Sequence, residues 1–135
     1  MALITWTKDD FGTTIKTHDE EHKHLFDLLN VFHETVVAGV RSDIGPALDA
    51  LIAFVAEHFA SEEKNMAAAG YADLAAHQQA HKQLVDTCLE LQQAFHSAGK
   101  DITTDITAFL RDWLVHHIPK VDFNYGPAML AKGLG

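Results

Sequence analysis

A chain of 135 residues, 47 % of them hydrophobic, is the size of one domain and can bury a core, which excludes a disordered chain. Ten Lys and Arg against 19 Asp and Glu leave a net charge of −9, so phosphate backbones are repelled and neither nucleic acid nor an anionic membrane surface is an expected partner. Cys88 is the only cysteine, which excludes an intrachain disulfide and a thiolate zinc site; with no signal-like start and no run near the ~20 apolar residues of a membrane span, a cytoplasmic chain without membrane insertion is expected.

The first residues, with Trp6, Phe11 and Gly12, read as an ordered arm packed on a helical body. Four segments then carry apolar residues at helical spacing. The first, over 19–38, sets His22, Leu25, Leu29, Phe32 and Val36 on one stripe. Gly39 to Gly45 interrupt the chain, and Pro46 suits the first turn of the next helix, where its missing N–H costs nothing. That second segment, 44–66, aligns Leu48, Leu51, Val55, His58 and Glu62. After Gly70 the third, 71–97, aligns Leu74, His77, His81, Leu84, Cys88, Leu91 and Phe95. After Gly99 the fourth, 102–118, aligns Ile106, Leu110, Trp113 and His117. Pro119, Gly126 and Pro127 then break the chain, with Met129 and Leu130 in a final helical turn. Strand alternation and hairpin turns are lacking. The expected fold is all-α: an up-down-up-down four-helix bundle with an N-terminal arm and a short C-terminal helical segment, residues 1–135 forming a single domain.

Ten histidines are many for this length, and five of them fall on the apolar stripes together with Glu62. Burying an imidazole or a carboxylate is costly unless its polar atoms find partners. One bound metal cluster satisfies six such groups at once. His58 with Glu62, and His77 with His81, are four apart, so each pair shares a helix face with Cβ atoms about 5–6 Å apart. In an antiparallel bundle the start of the first helix, the end of the second, the start of the third and the end of the fourth lie level. His22, His58/Glu62, His77/His81 and His117 occupy those places, hence one layer. Any one of these histidines alone reads more simply as a satisfied core residue; the joint placement points to metal. The remaining histidines, His18, His24, His33, His96 and His116, read as solvated or as facing away, and Cys88 as a core residue.

The string His22, His58-Phe-Ala-Ser-Glu62, His77-Gln-Gln-Ala-His81 and His117-Ile-Pro-Lys-Val-Asp122 resembles the hemerythrin family, as do Trp6 and the stretch Trp113-Leu-Val-His-His117. The resemblance covers nearly the whole chain and is to the single-domain bacterial members in particular. It implies two iron ions. His77, His81 and His117 would hold one, His22 and His58 the other. Glu62 and Asp122 would bridge them with an oxide or hydroxide. Periodicity alone leaves Asp122, five residues past His117, as a loop carboxylate; the resemblance implies that the chain turns near Pro119 and brings it in. It also implies an open position on the two-histidine iron for molecular oxygen, and an apolar oxygen pocket at Leu25, Phe59, Trp113, Leu114 and Ile118.

Five histidines and two carboxylates differ from the carboxylate-rich sites of di-iron oxygenases, which carry four carboxylates and two histidines. Imidazole is a neutral ligand and stabilises high-valent metal less, so reversible oxygen binding for transport, storage or delivery is expected rather than an enzyme. No spare carboxylate is apparent on the stripes. An oxygen, redox or iron sensor, and a di-iron peroxidase or nitric oxide reductase, are the alternatives. A monomer is expected, and a protein that receives the oxygen is not identified by the sequence.

Overall fold

The structure is a computed structural model and describes residues 2–133. Four long helices form the body: α2 (Lys16–Ala38), α3 (Arg41–Ala69), α4 (Leu74–Ala98) and α5 (Thr104–Lys120). The short α1 (Lys8–Phe11) precedes them, and a 3₁₀ turn (Asp122–Tyr125) and α6 (Gly126–Ala131) come after. No strand occurs among the described residues. Both α2 and α3 end at a glycine in the left-handed region, Gly39 (φ 73) and Gly70 (φ 66), the conformation a side chain disfavours and a helix C-terminus uses.

The helices start and stop differently from expectation by up to three residues. The start of α2 at Lys16 is fixed by Asp19, whose Oδ1 accepts from the Thr13 N–H (2.9 Å) and hydroxyl (2.7 Å). The start of α3 at Arg41 puts Pro46 in the second turn rather than the first. The only bond forfeited is to the carbonyl of Ser42, which lies in the exposed first turn. Helix α5 runs through Pro119 to Lys120.

The predicted stripes are the core. Leu25, Leu29, Phe32, Leu48, Leu51, Val55, Leu84, Cys88, Leu110 and Leu114 are all buried in one cluster. Phe11 and Ile4 of the arm join it, with Trp6 packed against it and Phe11 edge-on to Phe26 at 5.0 Å. A second, smaller cluster of Ile15, Met66, Ala69, Tyr125 and Met129 closes one end of the bundle. The layer of histidines lies between the two clusters.

Candidate metal centre

Each predicted ligand is buried: His22, His58, Glu62, His77, His81, His117 and Asp122 are all at most 3 % exposed. Helix α2 supplies His22 from its second turn, α3 supplies His58 and Glu62 from its last three turns, α4 supplies His77 and His81 from its first two, and α5 supplies His117 from its last. Antiparallel packing brings these ends level. Their ligating atoms fall into two groups, each within 4.8 Å: Glu62, His77, His81, His117 and Asp122 in one, His22, His58 and Glu62 in the other.

The carboxylates span the two groups. Glu62 Oε2 is 3.1 Å from His22 Nε2 and 3.2 Å from His58 Nε2, while its Oε1 is 3.2 Å from His81 Nε2. Asp122 Oδ1 is 2.8 Å from His77 Nε2 and 2.7 Å from His117 Nε2, while its Oδ2 is 3.2 Å from His22 Nε2. Each carboxylate thus presents one oxygen to a three-histidine side and the other to a two-histidine side. Asp122 reaches the layer because α5 ends at Lys120, capped by Val121, whose N–H still bonds to the His117 carbonyl at 2.8 Å, and the 3₁₀ turn begins at Asp122 itself. The change of direction comes at Val121, two residues past Pro119.

These residues fit a pair of cations. Glu62 Oε1, His81 Nε2 and Asp122 Oδ1 are buried with no hydrogen-bond partner, and His77 and His117 turn Nε2 atoms toward each other at 3.2 Å. Converging lone pairs without protons to share are costly in a dry interior and are what a cation satisfies. Two further carboxylates orient the rings. Glu21 accepts from His58 Nδ1 at 2.7 Å and Glu63 from His81 Nδ1 at 2.9 Å, leaving each Nε2 lone pair aimed inward. Neither lies on an apolar stripe, where no spare carboxylate is expected; Glu21 and Glu63 stand off the stripes, at the rim of the site. Glu21 neighbours His22 in sequence yet serves a different helix, so periodicity alone does not pair it with His58.

Electrostatics separates the two sides. Burial pulls the His22 pKa down, but Asp122 and Glu62 override it and raise it to about 9. For His58, burial is likewise outweighed, by Glu62 and Glu21, and the value rises to about 10. Burial dominates at His117 and lowers it. Burial opposes ionisation of Glu62 and Asp122, yet the surrounding histidines hold both carboxyls below their ordinary range. The carboxylates that raise these two histidines are negative charge that a bound cation would balance.

The aromatic shell is close. Phe59 stacks on His81 with centroids 3.7 Å apart, and Trp113 stacks on His117 at 4.2 Å. Leu25, Phe59 and Leu114 line a wholly apolar cavity of about 20 Å³ that runs inward to Cys88 and Leu110. Trp113 covers a ligand ring and Ile118 packs in the core, outside the lining of this cavity.

Two buried residues beside the ligands are not expected from the sequence. Tyr125 donates its hydroxyl to Glu62 Oε2 at 3.0 Å. His18, expected in solvent, is 0 % exposed, because it lies one turn before His22 on the same face of α2, and burial lowers its pKa. The i, i+4 spacing to His22 is the signal that marks it. The other four fall outside the layer: His24, His96 and His116 are away from the ligands, and His33 sits against Thr107 Oγ1 at 2.7 Å.

Comparison with known proteins gives one family. The model of the hemerythrin HHE cation-binding domain matches residues 13–129. A bacteriohemerythrin of Methylococcus capsulatus (strain Bath) is 51 % identical over 97 % of this chain and all of its own length. A myohemerythrin of Sipunculus nudus is 32 % identical over 79 % of this chain and 88 % of its own. The crystal structure of a wild-type hemerythrin superposes with TM-score 0.93 at 51 % identity, covering 95 % of this chain and 98 % of that one.

Proposed function

The chain belongs to the hemerythrin family, and from that premise we propose that it binds molecular oxygen reversibly at a non-haem di-iron centre held by His22, His58, Glu62, His77, His81, His117 and Asp122. It is an oxygen-binding protein rather than an enzyme, like the hemerythrins it resembles. The observation that carries the reading is the division of seven buried ligands into a three-histidine and a two-histidine side spanned by both carboxylates. The smaller histidine set leaves the His22/His58 side one ligand poorer, and oxygen would enter there. An oxide or hydroxide bridge would complete the pair. When bound, the two irons supply the electrons and the open position that oxygen binding uses.

The chain's own residues do the rest. Glu21 and Glu63 lock the His58 and His81 rings, so metal capture does not have to order them. Leu25, Leu114 and Phe59, which stacks on His81, border a dry apolar void that admits a non-polar gas while offering water no partners. Excluding water and protons slows loss of the reduced state. Storage or delivery of oxygen by a cytoplasmic monomer is the role this chemistry suits.

The test is a spectral cycle. Iron-loaded, reduced protein is exposed to air and then stripped of oxygen. A visible absorption that appears and disappears over repeated cycles supports the carrier. Irreversible bleaching with turnover of peroxide or nitric oxide would favour an enzyme instead.

A further inference from the structure

His18 has no part in the ligand set, yet its surroundings are specific. The ring lies edge-on to Tyr125 at 4.9 Å and to His58 at 6.4 Å. Its two nitrogens are unequal. Nε2 is 2.9 Å from Nδ2 of Asn65, a residue of α3. An amide nitrogen only donates. That contact favours Nε2 presenting its lone pair, which puts the proton of the neutral ring on Nδ1. That Nδ1 is buried without a hydrogen-bond partner, and Glu62 Oε2 lies 3.9 Å from it. A buried N–H with no acceptor is disfavoured, and here the nearby acceptor is the carboxylate oxygen that faces His22 and His58. Tyr125 already donates to that same oxygen. Glu62 Oε1, on the three-histidine side, receives neither donor.

We propose that His18 is a positioning residue for Glu62: Asn65 fixes its tautomer so that Nδ1–H, together with the Tyr125 hydroxyl, restrains Oε2 on the two-histidine side of the centre. The inference rests on reading Glu62 as a metal ligand. The separation is about 1 Å longer than a direct hydrogen bond, so the interaction is electrostatic. Two donors on one oxygen draw charge from it and hold its direction. An oxygen so engaged donates less to a metal, which favours the lower oxidation state on the side where oxygen would enter. One carboxylate thereby serves two unequal positions.

The direct measurement is the tautomer of His18, read by long-range proton–nitrogen NMR on protein with ¹⁵N-labelled histidine, metal-free and zinc-loaded. The expected result is Nδ1–H in wild type in both forms, with Nε2–H gaining population in Asn65→Leu. The second measurement is the midpoint potential and autoxidation rate of the iron-loaded protein. His18→Phe and Asn65→Leu should both lower the potential and speed autoxidation, by about 10-fold for His18→Phe, the lower end of what outer ligand partners contribute. His18→Gln, which retains an N–H donor, should recover part of the loss. Asn65→Leu leaves the imidazole in place, so it separates tautomer control from packing. An Nε2–H tautomer in wild type, or unchanged potentials in both His18→Phe and Asn65→Leu, overturns the proposal. Zinc-loaded protein with Nδ1–H whose iron form fails the oxygen cycle would refute the carrier reading and leave the role of His18 standing.

Discussion

Truncating Leu114 to alanine separates packing from protection of the site. Leu114 is 5 % exposed, stands one turn before His117 on α5, and borders the void of about 20 Å³. Leucine-to-alanine changes in cores cost about 2.7–5 kcal/mol, rising by roughly 24 cal/mol for each Å³ left open. The void already present is common to both proteins and cancels in the difference, so only the space newly opened by the truncation counts. Leu114→Ala should therefore lose about 3–4 kcal/mol, read by urea unfolding of metal-free protein so that metal binding adds nothing to the difference. Autoxidation of the iron form should accelerate, because losing the isobutyl group opens room for water beside the polar ligand atoms, which can hold it where hydrocarbon cannot. Leu29 supplies the control: it borders the same void, is 1 % exposed, and lies two turns past His22, away from the ligands. Leu29→Ala should cost similar stability with little change in autoxidation. Equal acceleration in the two variants, or none in Leu114→Ala, would refute the idea that Leu114 guards the site.

Removing the carboxylates behind the ligand rings should weaken metal capture: Glu21→Gln and Glu63→Gln are each expected to lose about 10–100-fold in zinc affinity, measured by chelator competition. Tyr125→Phe deletes a hydrogen bond to a charged oxygen and should cost about 1.5–3 kcal/mol in urea unfolding of the metal-free protein. Burial pushes the Cys88 thiol up to about 11, so at pH 8 only ~0.1 % is thiolate and native protein should resist iodoacetamide, with rapid labelling appearing in urea. Gly126→Ala places a Cβ 2.7 Å from Thr14 Oγ1 and 3.0 Å from the Thr13 carbonyl; despite alanine's better helix propensity, the clash should destabilise by about 1–3 kcal/mol, seen as a lower melting temperature.

The legible part of the site is the part that periodicity encodes. A residue's place on a helix fixes its face, and its distance from the helix end fixes its height in the bundle. Those two facts locate His22, His58, Glu62, His77, His81 and His117 without any tertiary information. His18 obeys the same rule, four residues before His22, but it precedes the predicted start of the helix at residue 19 and so escapes the pattern. The true start depends on Asp19 bonding back to Thr13, a contact between side chain and arm that no apolar pattern records. Glu21 and Glu63 sit off the stripes, on half-buried positions where long side chains reach sideways to a neighbouring helix. Their targets depend on packing geometry, which spacing does not carry.

Asp122 is the case where helical periodicity leads away from the site. Continued as a helix, α5 would turn residue 122 well off the face that carries His117. The chain instead leaves the α-helix at Val121 and tightens into a 3₁₀ turn, which brings Asp122 inward and sets Tyr125 beneath Glu62. That turn needs support, because short 3₁₀ segments bond weakly on their own. The support is the second core: Tyr125 and Met129 are fully buried against Ile15 and Met66, and Gly126 lets the backbone of Thr13 and the side chain of Thr14 approach too closely for a Cβ. The arm, the 3₁₀ turn and α6 thus do more than close the end of the bundle. They hold the seventh ligand and the hydroxyl donor on Glu62, and the integrity of the metal centre depends on contacts between Thr14 and Gly126, near opposite ends of the chain.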